Sequence, residues 1–290
     1  MNDNGLDSDI GIQQPSTMPL DLKEATSLIV EKARQLVNQL VDYRGHSRPP
    51  FLPREYSHFV NIREIQKTDL GDTSGLLLPF HDGYVIKVNK SHYQVRQNFS
   101  CAHEIGHILF RDLKLDNYVD TIQYRTFNTP KTMELRARAR EALCDTAAAE
   151  LLMPESVFRK CLSTFGLSIT SIEHLAETFQ VSIKAATKRI SEVSIEPCVA
   201  ILWNPWPKSK PKGLRPVIGK QTKAKYLQLY KPVNVSSALY KAYQIDASIK
   251  TWKLFHDGNS VRHIPVEAKG FGRGEKRFVI SFAFPARQKT

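Results

Sequence analysis

No stretch of the 290-residue sequence approaches the roughly 18 consecutive apolar residues of a membrane span. A bilayer protein and a membrane partner are therefore not expected. The opening residues, MNDNGLDSDIGIQQPSTMP, have neither the basic start nor the apolar core of a secretory signal, so a cytoplasmic location is expected. Cysteine is scarce and scattered: Cys101, Cys144, Cys161 and Cys198, with no CxxC pair. That spacing removes a cysteine-built zinc knuckle. In a reducing compartment these are free thiols, and their simplest role is as small buried packing residues. Internal repeats and low-complexity tracts are also missing. Acidic residues run out towards the end: from Pro197 onward 18 Lys+Arg stand against 4 Asp+Glu, whereas residues 1–196 hold 23 and 25. A basic tail of this kind suits nucleic acid or an acidic partner, and equally a solvated basic face, since net charge alone specifies no partner.

What is present reads as a globular α+β protein, 41% hydrophobic and 24% charged, with length for about two domains. Residues 1–19 are polar and Gly/Pro-containing and read as disordered. Asp21 to Tyr43 forms an amphipathic helix pattern through Leu28, Ile29, Ala33, Leu36, Val37, Leu40 and Val41, closed by the Pro-rich run Ser47 to Pro53. Gly75 to Pro79 and Tyr84 to Val88 flank a His81-Asp82-Gly83 turn, a hairpin signal. A helix is expected over Asn98–Arg111, a loop over 112–131 and a long helix over Met133–Met153, stopped by Pro154. Short helices follow at 154–163, 170–179 and 182–193. Strand-like runs then begin, and the expected boundary lies near 195–197.

The chemistry concentrates at His103-Glu104-Ile105-Gly106-His107. Four residues apart on a helix, the two histidines stack on one face about 6 Å apart. Both can then reach one ion at a Zn–N distance of about 2.0–2.1 Å. Glu104 flanks that face and can touch a metal-bound water without being a ligand. Alone, HExxH is short and arises by chance. Here it sits in an apolar stretch, where two histidines and a glutamate would be costly to bury without purpose, and Gly106 suits a close approach by a chain or substrate. A catalytic zinc needs a third protein ligand. Glu141 is the favoured one, with Asp145 four residues on and free to accept a ring N–H from His103 or His107. Glu150, Glu134 and His81 are rivals. Glu150 lies nine residues after Glu141 and so on the opposite face of a straight helix, where a structural or loop-anchoring role is preferred. Such His₂Glu sites also take Mn²⁺ or Fe²⁺.

Phe99-Ser-Cys-Ala-His-Glu-Ile-Gly-His107, Glu141-Ala-Leu-Cys-Asp145 and Ala148-Ala-Glu-Leu-Leu-Met-Pro154 together resemble the ImmA/IrrE family of metallopeptidases over roughly residues 25–193. The resemblance implies a zincin-like peptidase domain over 20–160, a helix-turn-helix-like segment over 161–196 and a basic α+β domain over 197–290 with a sensor-like fold of the GAF type. It also implies a zinc endopeptidase that cleaves a helix-turn-helix repressor and so derepresses stress-response or mobile-element genes. Candidates for stabilising the oxyanion are Tyr118, Tyr124, His92 and Tyr93.

Residues 172–190 read as two short helices around a tight turn, with Leu175, Ala176, Phe179, Val181, Ala185 and Ile190 as a small core and Ser182 as a cap. Lys184, Lys188 and Arg189 are expected on the exposed side of the second helix, as candidate DNA contacts. The rival reading is a scaffold packed on the peptidase core, favoured because base-reading side chains are sparse there. Three function classes follow: a peptidase, a DNA-binding stress regulator with a structural or inactive metal site, and an antitoxin-like or scaffold partner that only binds a repressor. The aromatics of 197–290 read as core.

Overall fold

The computed structural model describes residues 22–115, 130–207, 212–222, 233–257 and 260–284. Helix α1 (Leu22–Arg44) buries Ala25, Ile29, Ala33, Leu36, Val37 and Leu40 along one stripe. Leu28 lies on the flank of that stripe and is exposed. Arg44 turns the chain by pairing with Glu55 and donating to the Pro50 carbonyl at 3.0 Å. The Pro-rich run leads into a 3-10 helix, Pro53–Val60. Its buried Tyr56 donates to the Leu151 carbonyl at 2.7 Å, across the core.

Three strands follow: β1 (Ile62–Thr68), β2 (Gly75–Phe80) and β3 (Gly83–Asn89). The order is β1-β3-β2, with β3 parallel to β1 and antiparallel to β2. The expected hairpin is β2–β3. Gly83 has φ +151°, and a Cβ there would meet the Asn61 carbonyl oxygen at 2.3 Å, so only glycine closes this turn without a shift. Asn89, fully buried, secures the β1–β2 loop: its amide donates to the Gly71 and Thr73 carbonyls at 2.8 Å each, and its oxygen accepts from Ser91.

Helices α2 (Gln94–Asp112) and α3 (Pro130–Leu152) form the centre. They touch where a Cβ on Gly106 would lie 2.9 Å from both the Cα and the carbonyl oxygen of Cys144. The close approach expected at Gly106 is therefore made by α3. Helix α2 starts four residues earlier than its apolar pattern indicates. The loop expected over 112–131 lies mostly outside the described residues.

The three short helices are α4 (Glu155–Phe165), α5 (Ile169–Thr178) and α6 (Ile183–Val193). Ser182 caps α6 by accepting from the Ala185 amide at 3.1 Å. Leu175, Ala176, Phe179, Val181 and Ile190 are buried, with Ala186 rather than Ala185 as the fully buried alanine. They belong to one core cluster continuous with α1, α2 and α3.

Arg189 departs from expectation. It is 7% exposed, pairs with Glu150 through Nη2 and donates to the Met153 carbonyl at 3.0 Å through Nε. It lies on the inner face of α6 and is not presented to solvent, because a buried guanidinium stays where its carboxylate is. Lys184 and Lys188 are exposed, and the Lys184 ammonium lies 4.4 Å above the Phe278 ring.

Among the described residues the C-terminal part is a six-stranded antiparallel sheet with one α-helix and a short 3-10 turn. Its strands are β4 (Cys198–Pro205), β5 (Gly213–Thr222), β6 (Val233–Asn234), β7 (Ile249–Asp257), β8 (Ser260–Phe271) and β9 (Phe278–Ala283). Helix α7 (Ala238–Gln244) precedes β7. The spatial order is β6-β5-β4-β9-β8-β7. The side chains of β4 alternate between two cores. Cys198, Ala200 and Leu202 join the helical core, while Val199, Ile201 and Trp203 join a second one with Leu239 and Ala242 of α7. The buried Trp203 indole donates to Ser281 at 2.8 Å. On β8, Glu267 accepts from the Ile169 amide at 2.8 Å and so holds the start of α5, and Lys269 pairs with Glu173 at 2.7 Å. Among the described residues no helix is long and apolar enough to cross a membrane.

Candidate metal centre

Helix α2 is covered almost all round. Cys101, Ala102, Ile105, Ile108, Leu109 and Phe110 are buried, and the half-open side carries His103 and His107. Their rings stand edge to face with centroids 4.9 Å apart, as i,i+4 stacking requires. Helix α3 crosses opposite and presents Glu141, Cys144 and Asp145 to them.

Each histidine is held at Nδ1 and aimed with Nε2. His103 Nδ1 lies 2.8 Å from Asp145 Oδ1, and its Nε2 lies 3.0 Å from Glu141 Oε2. His107 Nδ1 lies 3.3 Å from Cys144 Sγ, and its Nε2 lies 3.7 Å from Glu141 Oε1. The Asp145 carboxylate accepts from Nδ1–H, which selects the tautomer whose Nε2 lone pair points at Glu141. One donor atom each from His103, His107 and Glu141 falls within 4.8 Å of the others. Two imidazole nitrogens and a carboxylate oxygen converging on one point are a donor set for Zn²⁺, and these residues fit such an ion.

The electrostatics follow from this crowding. Burial lowers the basicity of His103, but the hydrogen bond and charge of Asp145, with Glu104 and Glu141, outweigh it and raise the pKa. His107 is lowered, by burial first and by the charge of His103 second. Burial pushes the Glu104 carboxyl up to about 7, against the pull of His103 and with a push from Glu141. Glu104 is 8% exposed and lies against strand β2, where a Cβ on Gly75 would come within 2.6 Å of its Oε1. Burial pushes the Cys101 thiol up to about 12, and the Cys144 thiol, also next to Glu141, higher still. Both stay neutral.

The structure thus brings together His103, Glu104, His107, Glu141 and Asp145. Glu150 points the other way and is 2% exposed; it takes up Arg34, Arg189 and the Glu155 amide. His81 sits exposed in the hairpin turn beside Asp82. The side chain of Glu134 lies outside the described residues, as do Tyr118 and Tyr124. His92 and Tyr93 precede α2, which places them roughly 15 Å along its axis from His103. Sequence reasoning passed over three neighbours. Cys144 Sγ lies 3.3 Å from His107 Nδ1, the Phe99 ring stands 6.4 Å from that of His103, and Gly75 makes room for Glu104. Only the i,i+3 step from Glu141 to Cys144 carried a signal.

Residues 62–191 match the family model described as the IrrE N-terminal-like domain. Over 132 residues the chain is 33% identical to the radiation response metalloprotease IrrE of Deinococcus radiodurans, covering 45% of this chain and 37% of that protein. Over 176 residues it is 27% identical to the radiation response metalloprotease IrrE of Deinococcus deserti, covering 60% and 58%. The chain thus spans less than two thirds of the length of these curated relatives. Among solved structures it is similar to a Mycobacterium tuberculosis transcriptional regulator, with a TM-score of 0.59 and 15% identity, over 92% of this chain and 82% of that one. At that identity the likeness is one of fold.

Proposed function

We propose, from the match of residues 62–191 to the IrrE N-terminal-like domain, that the protein is an ImmA/IrrE-type intracellular zinc metalloendopeptidase whose substrate is a helix-turn-helix transcriptional repressor. Cleavage would derepress stress-response or mobile-element genes. The observation that carries the reading is the convergence of His103 Nε2, His107 Nε2 and a Glu141 oxygen beside the buried Glu104. His103, His107 and Glu141 would hold the metal, with Mn²⁺ or Fe²⁺ as chemical alternatives to Zn²⁺. When bound, such an ion supplies a water whose pKa falls toward about 7 and polarises the scissile carbonyl. Glu104 takes the proton of the attacking water on its carboxylate and returns it to the leaving amine, and a carboxyl near 7 suits both directions of transfer. Asp145 and Cys144 hold the two imidazoles in register through Nδ1.

For the C-terminal unit, the antiparallel sheet with a packed core on each face supports a GAF-type reading. The DNA-binding reading is the weaker one. Arg189 is spent on Glu150, and α6 packs between the peptidase core and the C-terminal sheet.

The test is Glu104→Gln in the full chain. Metal content, measured by atomic absorption, should stay at the wild-type level while cleavage of a co-expressed repressor falls by about 10²–10⁴-fold. Full cleavage by the variant, or a wild-type protein that holds no metal under any condition, defeats the proposal.

A further inference from the structure

Between α3, α6 and the helix-facing side of the C-terminal sheet lies a half-enclosed cavity of about 250 Å³. Its walls are apolar: Phe99 of α2, Ala149 and Met153 of α3, Ala200 and Leu202 of β4, and Ile280 of β9. Almost every polar group around it has a partner. Asp145 holds His103 and Arg189 holds Glu150, with Glu192 3.7 Å from Arg189. The Thr187 and Ser191 hydroxyls donate back to the Ile183 and Thr187 carbonyls at 2.7 and 3.0 Å. The exceptions are Lys188 and, apart from the Phe278 ring 4.4 Å under its ammonium, Lys184. They stand one turn apart at the rim on the exposed side of α6, with no carboxylate within ion-pair distance among the described residues. An apolar cleft rimmed by two ammonium groups, with every nearby carboxylate already engaged, selects an anion with an apolar body.

We infer that this seam binds a small amphipathic carboxylate, with its hydrocarbon against Met153, Leu202 and Ile280 and its carboxylate between Lys184 and Lys188. The size is set by volume. A dry cavity of about 150 Å³ accepts benzene, so about 250 Å³ suits a body of roughly eight to ten carbons. An occupant would touch Phe99 and Asp145, the two side chains that pack on and hydrogen-bond to His103. The site therefore couples to the metal centre through the positioning of one ligand. That coupling rests on the peptidase reading above; the binding itself does not.

The probe is octanoate, titrated calorimetrically into the full chain at low salt, with octan-1-ol as the neutral control. We expect one saturable site with a Kd at or below about 1 mM. The alcohol and Lys188→Glu should each weaken binding by about tenfold or more, and Ala185→Phe, which fills the mouth from a partly exposed position, should abolish it. No saturation by about 10 mM, or binding indifferent to Lys188→Glu, overturns the site. In the metal-loaded protein, octanoate should change the rate of metal loss to a chelator at least about twofold, by altering the group that orients His103. An unchanged rate overturns the coupling. A chain that holds no metal but binds octanoate defeats the peptidase reading and leaves the carboxylate site standing.

Discussion

Glu141 and Glu150 lie nine residues apart on α3 and live in opposite surroundings. Glu141 is about half exposed, faces two imidazoles and has no arginine against it in the described ion pairs. Glu150 is 2% exposed and is gripped by Arg34, Arg189 and a backbone amide. Two and a half helical turns separate the faces, so one helix serves the candidate metal centre at one end and an internal clamp at the other. Charge left uncompensated at the edge of solvent can recruit a cation. Charge neutralised inside the protein can only hold α1, α3 and α6 together, and it does so because removing either partner strands the other in a low dielectric.

The largest effect that could break this contrast comes from Glu150→Ala. It leaves the Arg189 guanidinium buried without its carboxylate and should lower stability by about 3–5 kcal/mol in urea denaturation, while the folded fraction keeps its metal. If metal were lost in proportion to stability, the two ends of α3 would not be separate devices. Asp145→Asn should act the other way round. It should weaken metal binding by about 10–100-fold in a chelator competition and leave the urea midpoint nearly unchanged, since Asp145 is partly exposed. Gly106→Ala falls between them. The added methyl meets the Cys144 backbone at 2.9 Å and costs about 1–3 kcal/mol, offset by roughly 1 kcal/mol of helix propensity. A modest net loss of stability, accompanied by weaker metal binding, would show that the contact sets the spacing of the two helices. A gain in stability would show slack there.

How much of this was readable in advance depends on how far apart the partners lie along the chain. The α1 stripe, the β2–β3 turn, the Ser182 cap and the i,i+4 spacings His103–His107 and Glu141–Asp145 are local patterns with fixed periods, each readable from a window of a few residues, whereas the meeting of the two pairs follows only from the third ligand that a zinc site requires. Arg189 is not readable in this way. Its own helix points to exposure, whereas its partner sits 39 residues upstream on α3. Cys144 read as packing because a buried thiol ordinarily is, and only the crossing at Gly106 turns its sulfur to His107. The C-terminal strand order pairs β4 with β9 across some 80 residues, and no local pattern encodes that register.

Strand β4 has a consequence for how this chain can change over generations. Its odd and even residues serve different cores, so its reading phase is fixed to a period of two. Insertion of a single residue within it would send Trp203 and Ile201 toward the helical core and Ala200 and Leu202 toward α7, exchanging large and small side chains between two filled spaces. Lineages carrying this strand should therefore tolerate length changes on either side of it and almost none inside it, which makes β4 the natural anchor for aligning distant relatives whose C-terminal halves have otherwise drifted.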